Sequence, residues 1–411
     1  MNACSEPLLI LNQAHGPLLA DLVQALTDAG EDCAVFTGSD WPRKGTFPPE
    51  ARILNAPTLD RKSTSTRFFS WLAYSLAATA LLLRCGSDAR VLVFSNPPVL
   101  PFVVWFCSLF RRFRYSVMIY DIYPDVLAGL GLASDDHPVS RIWRYIHRLS
   151  FSRAFAVMTV GDVMAKVLER QFDPAVTGAG AIVVSRPWVN TGKIRPRVKE
   201  DNPFAVGNGQ MGRITALYSG NLGATHDTDT IIGAARQMGT DSGVSFLFIG
   251  SGPGARALES AAGDLANVTL LPWQPEDQVP DMWACAEIAF IALRPGTERC
   301  SFPSRTAFAL SAGCAIVAIT RTPSDVADIV SGRECGIVIS PGDSAGLARA
   351  LTCLAGDAEL LRRYRSNARR AAEALFGQEA NIAALMRGVP APVRSSPKQS
   401  RPPQGTPGLS A

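Results

Sequence analysis

Short apolar, often β-branched runs alternate with helix-forming segments along this chain, and the alternation occurs twice. Nothing else constrains the fold as strongly, because strands separated by helices pair in parallel through right-handed crossovers. The first series reads as strands at residues 7–11, 33–36, 91–94, 115–120, 155–159 and 182–184. Helices are expected over 17–29, 70–84, 142–151 and 163–172, with another after 95–98. Residues 40–59 carry four prolines and read as a loop with at most one short strand. The second series has strands at 214–218, 244–249, 269–271, 288–292, 315–319 and 336–339, then closing helices over 358–376 and 378–387.

The expectation is therefore an α/β protein of two Rossmann-like, doubly wound domains facing across a cleft. Residues 1–194 form the first and 214–388 the second, with the last helix able to pack back on the first. The polar stretch 195–213, bearing glycine and proline, reads as the linker. Residues 389–411 are rich in proline and serine and read as a disordered tail.

Composition removes several function classes. Apolar residues make up 47% and charged residues 18%, a globular balance, and the net charge is only +4. The nine cysteines are scattered without a CxxC pair, which argues for a reducing compartment over a disulfide framework. The four histidines form no HxxxH pair, so no metal site is expected. Residues 1–7 lack the basic start of a secretory signal, and the apolar runs 69–83 and 101–110 span 15 and 10 residues. A membrane span needs roughly 18 to 20, so a cytoplasmic protein with core or interfacial helices is expected. No nucleic-acid recognition motif accompanies the charge.

The stretch 213–232 carries the chemistry. A strand ends in Ser219-Gly220-Asn221-Leu222-Gly223, after which Thr225 or Asp227 is available to cap a helix. A strand, a glycine turn and a helix N-terminus let backbone N–H groups approach a phosphate, although the same pieces build ordinary βα turns. Gly250 and Gly252 lie in a second glycine-rich loop directly after a strand. Trp273, leaving another strand, could frame a base or fill the core. Pro303-Ser304-Arg305 opens a helix where hydroxyl and guanidinium could meet a diphosphate. In the first domain His15, residues 95–98 and Asp121 fall at strand ends, where such sheets hold ligands. The DxD spelling at Asp227 and Asp229 sits in a helix's first turn, where the dipole alone favours acids.

In order, SGNLGxxH (219–226), GSGPG (250–254), LPWQP (271–275), PSR with LSAGCAIVA (303–318) and a CGIVI-x-PGD ending resemble glycosyltransferase family 4. YDIYPDVLAGLGL (120–132) and VTGAGAIVVSRPWVN (176–190) resemble its branch that builds bacterial surface polysaccharides. The resemblance spans about residues 8–385. It implies a GT-B fold and transfer, with retention and without a bound metal or cofactor, of a sugar from a nucleotide-diphospho-sugar, UDP-linked by expectation. Arg305 matches the family's Lys that neutralises the leaving diphosphate, with Ser304 beside it. Asn221 stands where many relatives have Arg, and His226 near their Lys. Asp121 matches the position that touches sugar and acceptor, and Asp125 is a weaker acceptor-side or helix-capping candidate. The family's acidic pair E-x7-E is absent: Cys300 and Phe308 occupy its places, and Glu298 lies two residues before the first.

Arg61, Lys62, Arg67, Arg111, Arg112, Arg114, Arg141, Arg144 and Arg148 flank apolar or aromatic segments of the first domain. They suit a peripheral membrane face toward a lipid-linked or glycan acceptor, or else a solvated basic face. Two other classes fit the architecture: a nucleotide-sugar epimerase, or a non-catalytic partner that lost the acidic pair.

Overall fold

The computed structural model describes residues 7–14, 16–38, 47–60, 63–134, 136–172, 182–223, 225–252 and 254–392. His15 and the tail from 393 onward lie outside the described residues.

Among the described residues, thirteen strands form two wholly parallel sheets. The first holds β1 (Leu8–Leu11), β2 (Cys33–Thr37), β3 (Arg52–Asn55), β4 (Arg90–Phe94), β5 (Arg114–Ile119), β6 (Val157–Thr159) and β7 (Ile182–Val184). Its order is β3-β2-β1-β4-β5-β6-β7. The second holds β8 (Ile214–Ser219), β9 (Val244–Ile249), β10 (Val268–Leu271), β11 (Ile288–Ala292), β12 (Ala315–Ile319) and β13 (Gly336–Ile339). Its order is β10-β9-β8-β11-β12-β13. Central strands such as β4 and β11 are buried throughout, as strands covered by helices on both faces must be. In each sheet the order reverses beside its first strand, between β1 and β4 and between β8 and β11. Loops diverge there and open a crevice at the carboxyl ends.

Several boundaries differ from the sequence expectation. The helix expected over 70–84 runs Thr64–Leu82, because Ser63 and Thr66 form a reciprocal capping box ahead of the apolar run. β6 is shorter than 155–159, whereas the one short strand allowed in the proline-bearing segment is present as the edge strand β3. Residues 195–213, expected as the linker, carry structure of their own. They contain the helix Pro203–Gly207, capped by Asn202, and are tied to the second sheet by Lys199 on Glu287 at 2.8 Å and by an Arg197–Asp281 ion pair.

Several sets of contacts join the two sheets among the described residues, and three of them bear on the site. The final helix Gln378–Arg387 packs on the first sheet, where Ser185 Oγ donates to the Asn381 carbonyl and the Arg186 N–H to Asn381 Oδ1, both at 2.9 Å. Asp325, beyond β12, accepts from the N–H groups of Val163 (3.0 Å) and Met164 (3.3 Å). It thus caps the helix Asp162–Phe172 of the other sheet. Finally, Asp121 and Ser301 form an antiparallel bridge, and the Ile122 N–H donates to the Cys300 carbonyl at 2.9 Å.

Candidate active site

The glycine turn after β8 and the loop after β9 interlock. Gly220 N–H donates to the Ile249 carbonyl, Leu222 N–H to Ser251 and Gly254 N–H back to Leu222, each at 2.9 Å. Gly220, Gly250 and Gly252 have φ of +145°, +147° and +146°, which side-chain-bearing residues rarely adopt. A Cβ at Gly250 would lie 2.0 Å from the Gly220 carbonyl oxygen, so the two loops can touch only as backbone. The Asn221 side chain lies over both, close to Gly223 and Gly252.

Arg305 reaches this turn from the start of the helix Arg305–Ser311. Its guanidinium sits 4.4 Å from the centre of the Tyr218 ring and against Gly220, and Nη2 donates to His226 Nε2 at 2.6 Å. A guanidinium can only donate, so the His226 proton is on Nδ1. Burial, and then the Arg305 cation, push His226 down to about 3, so the ring is neutral. Two buried donors then stand without a hydrogen-bond partner among the described residues: Arg305 Nη1 and His226 Nδ1. Unpaired donors beside a bare glycine turn are the complement of an oxyanion. Arg294 closes the far side, donating to the His226 carbonyl at 3.2 Å and pairing with Asp229.

The charge here comes from side chains more than from a helix dipole. The helix expected to begin at the turn starts only at Asp229, with Thr228 in the cap position. Asp227 is buried and accepts from the Thr230 N–H and hydroxyl, bonds that tie it to the first turn of that helix. Neither aspartate of the DxD spelling faces the glycine turn through these bonds.

Asp121 leaves the end of β5 directly into the bridge with Ser301, on the connection that delivers Arg305. Burial raises its carboxyl above the ordinary range, and a bond from Ser301 partly offsets this. Asp125 does not cap its helix. Its Oδ1 takes Gln171 at 2.8 Å and Arg144 at 3.4 Å, joining helices of the first domain. Trp273 is 54% exposed and so is not core, and Ser304 is exposed with no capping bond. Of the acidic-pair positions, Phe308 stacks on buried Trp283 and Cys300 is buried, its thiol pushed up to about 12 mainly by that burial.

Sequence reasoning missed Asp325, Tyr218 and His147. His147 is buried beneath Pro98, accepts from Trp143 Nε1 at 3.0 Å, and is pushed down to about 4 by burial. Tyr218 was legible as a strand residue but not as the platform for Arg305.

Two doubly wound sheets facing across a crevice, with an anion-shaped cluster at the reversal point of the second, make up the GT-B fold. Residues 213–357 match the family described as "Glycosyl transferases group 1", and residues 15–178 the "Glycosyl transferase 4-like domain". The chain belongs to glycosyltransferase family 4 and is a sugar transferase. It is 24% identical over 324 residues to the probable glycosyltransferase WbjE of Pseudomonas aeruginosa, covering 75% of this chain and 78% of that protein. Sucrose-phosphate synthase from Thermosynechococcus elongatus superposes with a TM-score of 0.73 at 17% identity, over 93% of this chain and 98% of that one. WaaG, a glycosyltransferase involved in lipopolysaccharide biosynthesis, gives 0.68 at 16%, over 92% and 99%. Anabaena HepE in complex with UDP and glucose gives 0.68 at 15%, over 93% and 98%.

Proposed function

We propose that the chain transfers a sugar, with retention and without a bound metal, from a UDP-linked donor to a lipid-linked or glycan acceptor in surface-polysaccharide synthesis. The observation that carries the donor half is the pair of unpaired buried donors, Arg305 Nη1 and His226 Nδ1, at the Gly220–Gly223 turn. When the glycosidic bond breaks, its electron pair stays on the diphosphate. A cation held rigidly over Tyr218 meets that charge without reorganising. Ser304 and the backbone of Asn221, Gly223, Gly250 and Gly252 complete this donor site, Trp273 frames the base, and Asp121 orients sugar and acceptor. The UDP complex of HepE, and the part of WaaG in lipopolysaccharide biosynthesis, support the same assignment by likeness of fold.

The acceptor half rests on the first domain's surface. Helices Thr64–Leu82, Leu100–Phe110 and Pro138–Ser152 lie side by side and expose Phe69, Leu76, Phe110, Ile142 and Tyr145, each 59–65% accessible. Arg84, Arg111, Arg112, Arg141 and Arg148 are exposed around them, whereas Arg114 and Arg144 are spent on the Ala391 carbonyl and Asp125. No helix among the described residues is long and apolar enough to cross a membrane. Exposed aromatics ringed by arginine suit the anionic inner face of a bilayer, where a lipid-linked acceptor would be presented.

Thermal-shift and calorimetric titration with UDP, GDP and their sugars, each with Mg²⁺ and with EDTA, tests the donor half. Stabilisation by one UDP-sugar that survives EDTA is expected, and binding only with Mg²⁺ would overturn the metal-free reading. Co-sedimentation with phosphatidylglycerol vesicles tests the acceptor half, and Phe69→Ser combined with Phe110→Ser should abolish it. Equal binding by that variant would sink the membrane face.

A further inference from the structure

We infer that Arg67 and Trp71 bind the phosphate of a lipid-linked acceptor; the inference rests on the membrane-acceptor reading above and narrows it to an acceptor whose phosphate enters the crevice. Both residues stand on the helix Thr64–Leu82, one turn apart. Arg67, Trp71, Tyr74, Ala78 and Leu82 follow one another at helical spacing, so the first two share the face on which the last three are fully buried. Phe68, Phe69, Leu72 and Leu76 occupy the other side and are 46–65% exposed. One helix thus turns apolar side chains outward and carries a cation and an indole inward.

The start of this helix lies at the carboxyl edge of the first sheet. The Tyr74 hydroxyl donates to the Phe36 carbonyl near the end of β2 at 2.8 Å, and Gln13 Nε2, just beyond β1, donates to the Ser70 carbonyl at 2.9 Å. Arg67 comes about 10 Å before Tyr74 along the helix axis, past the strand ends. Burial pushes the Tyr123 hydroxyl up to about 12, Asp121 adds to the rise and Arg67 opposes it, so Arg67 and Asp121 both act on one hydroxyl. Arg67 therefore stands on the Asp121 side of the crevice. Its Nε and Trp71 Nε1 are buried without a hydrogen-bond partner, and it makes no ion pair, among the described residues. Guanidinium and indole N–H groups only donate, so their ligand must accept, and a half-buried cation without a partner calls for an anion. A lipid-linked acceptor carries its phosphate where the hydrocarbon chain meets the sugar. With the outer face of the helix in the bilayer, Arg67 stands at that junction and the sugar extends toward Asp121.

Calorimetry with farnesyl diphosphate and the neutral farnesol, at saturating UDP so that the Arg305 turn is filled, tests this on wild type, Arg67→Gln and Trp71→Phe, alongside melting without ligand. Wild type should bind the diphosphate about tenfold more tightly than the alcohol, or better. Arg67→Gln should erase that preference and keep its affinity for farnesol. Trp71→Phe, which keeps a ring and loses the N–H, should reduce the preference several-fold. Neither variant should melt below wild type, since each removes a buried donor that has no partner. An undiminished preference in either variant, equal affinities for diphosphate and alcohol in wild type, or loss of both ligands with a lower melting temperature would overturn the inference alone, with vesicle binding left standing. A wild type that binds neither compound and does not sediment with phosphatidylglycerol vesicles would overturn the acceptor reading, and this inference with it.

Discussion

Replacing Arg305 by alanine should separate binding from stability. The guanidinium makes a bond to His226 and lies over Tyr218, contributions of about 1 kcal/mol and about 0.5–2 kcal/mol. Against these stands Nη1, a buried donor of a charged group with no partner, which costs about 1–3 kcal/mol. The terms nearly cancel, so the ligand-free variant should unfold within about 1 kcal/mol of wild type. A charge-assisted bond to a diphosphate contributes about 1.5–3 kcal/mol, so UDP affinity should fall roughly 10- to 150-fold. Turnover should fall further, because charge on the diphosphate grows in the transition state. Arg305→Lys restores the charge without the planar fork and should recover only part of the affinity. Burial, the first cause of His226 neutrality, remains in the variant, so the loss should be the same at pH 6 and pH 8. Denaturant melts paired with calorimetry provide the assay. An unchanged UDP affinity, or a large stability loss matching the affinity loss, would refute the reasoning.

Three further outcomes follow from the same geometry. Gly250→Ala puts a Cβ 2.0 Å from the Gly220 oxygen at a φ of +147°, and should cost about 3 kcal/mol and the UDP-induced thermal shift. Gly223→Ala, whose Cβ meets the Asn221 side chain at 3.0 Å and His226 Nδ1 at 3.6 Å and no backbone, should fold, and equal melts for the two variants would count against the interlock. His147 is held at about 4, so the native state binds fewer protons than the unfolded chain between there and about 6.5. Its contribution is complete above that upper value and is lost as pH falls, about 2 kcal/mol by pH 5. His147→Gln should reduce the pH 7-to-5 stability difference by that amount, measured against wild type so that His226 and the buried aspartates cancel. Asp325→Ala removes the cap that crosses between the sheets and should cost about 1–2 kcal/mol. It should also raise the radius of gyration in small-angle scattering, and Asp325→Asn, which keeps one acceptor, should recover part of both.

Much of this architecture could be read along the chain because it is local. A buried strand is a run of β-branched and apolar residues, and a turn with positive φ needs glycine, so β8, β11 and the loops at Gly220 and Gly250 announce themselves. Arg305 was legible too, as a cation after Pro-Ser at a helix start. Local reading failed where a side chain had a choice of partners. Asp125 had a cap within reach and took Gln171 and Arg144 instead. Asp227, one of the two expected caps, does accept from the Thr230 N–H, but the helix itself begins only at Asp229.

The sequence by itself determined two parallel α/β sheets, the glycine turns at their strand ends and the residue types able to face a diphosphate. Tertiary structure alone decided that Arg305 lies over Tyr218 with a free donor and that Asp325 caps a helix 162 residues away. Periodicity and turn chemistry depend on neighbours a few residues apart, whereas burial of a charge and the partner it finds depend on which surfaces close on it.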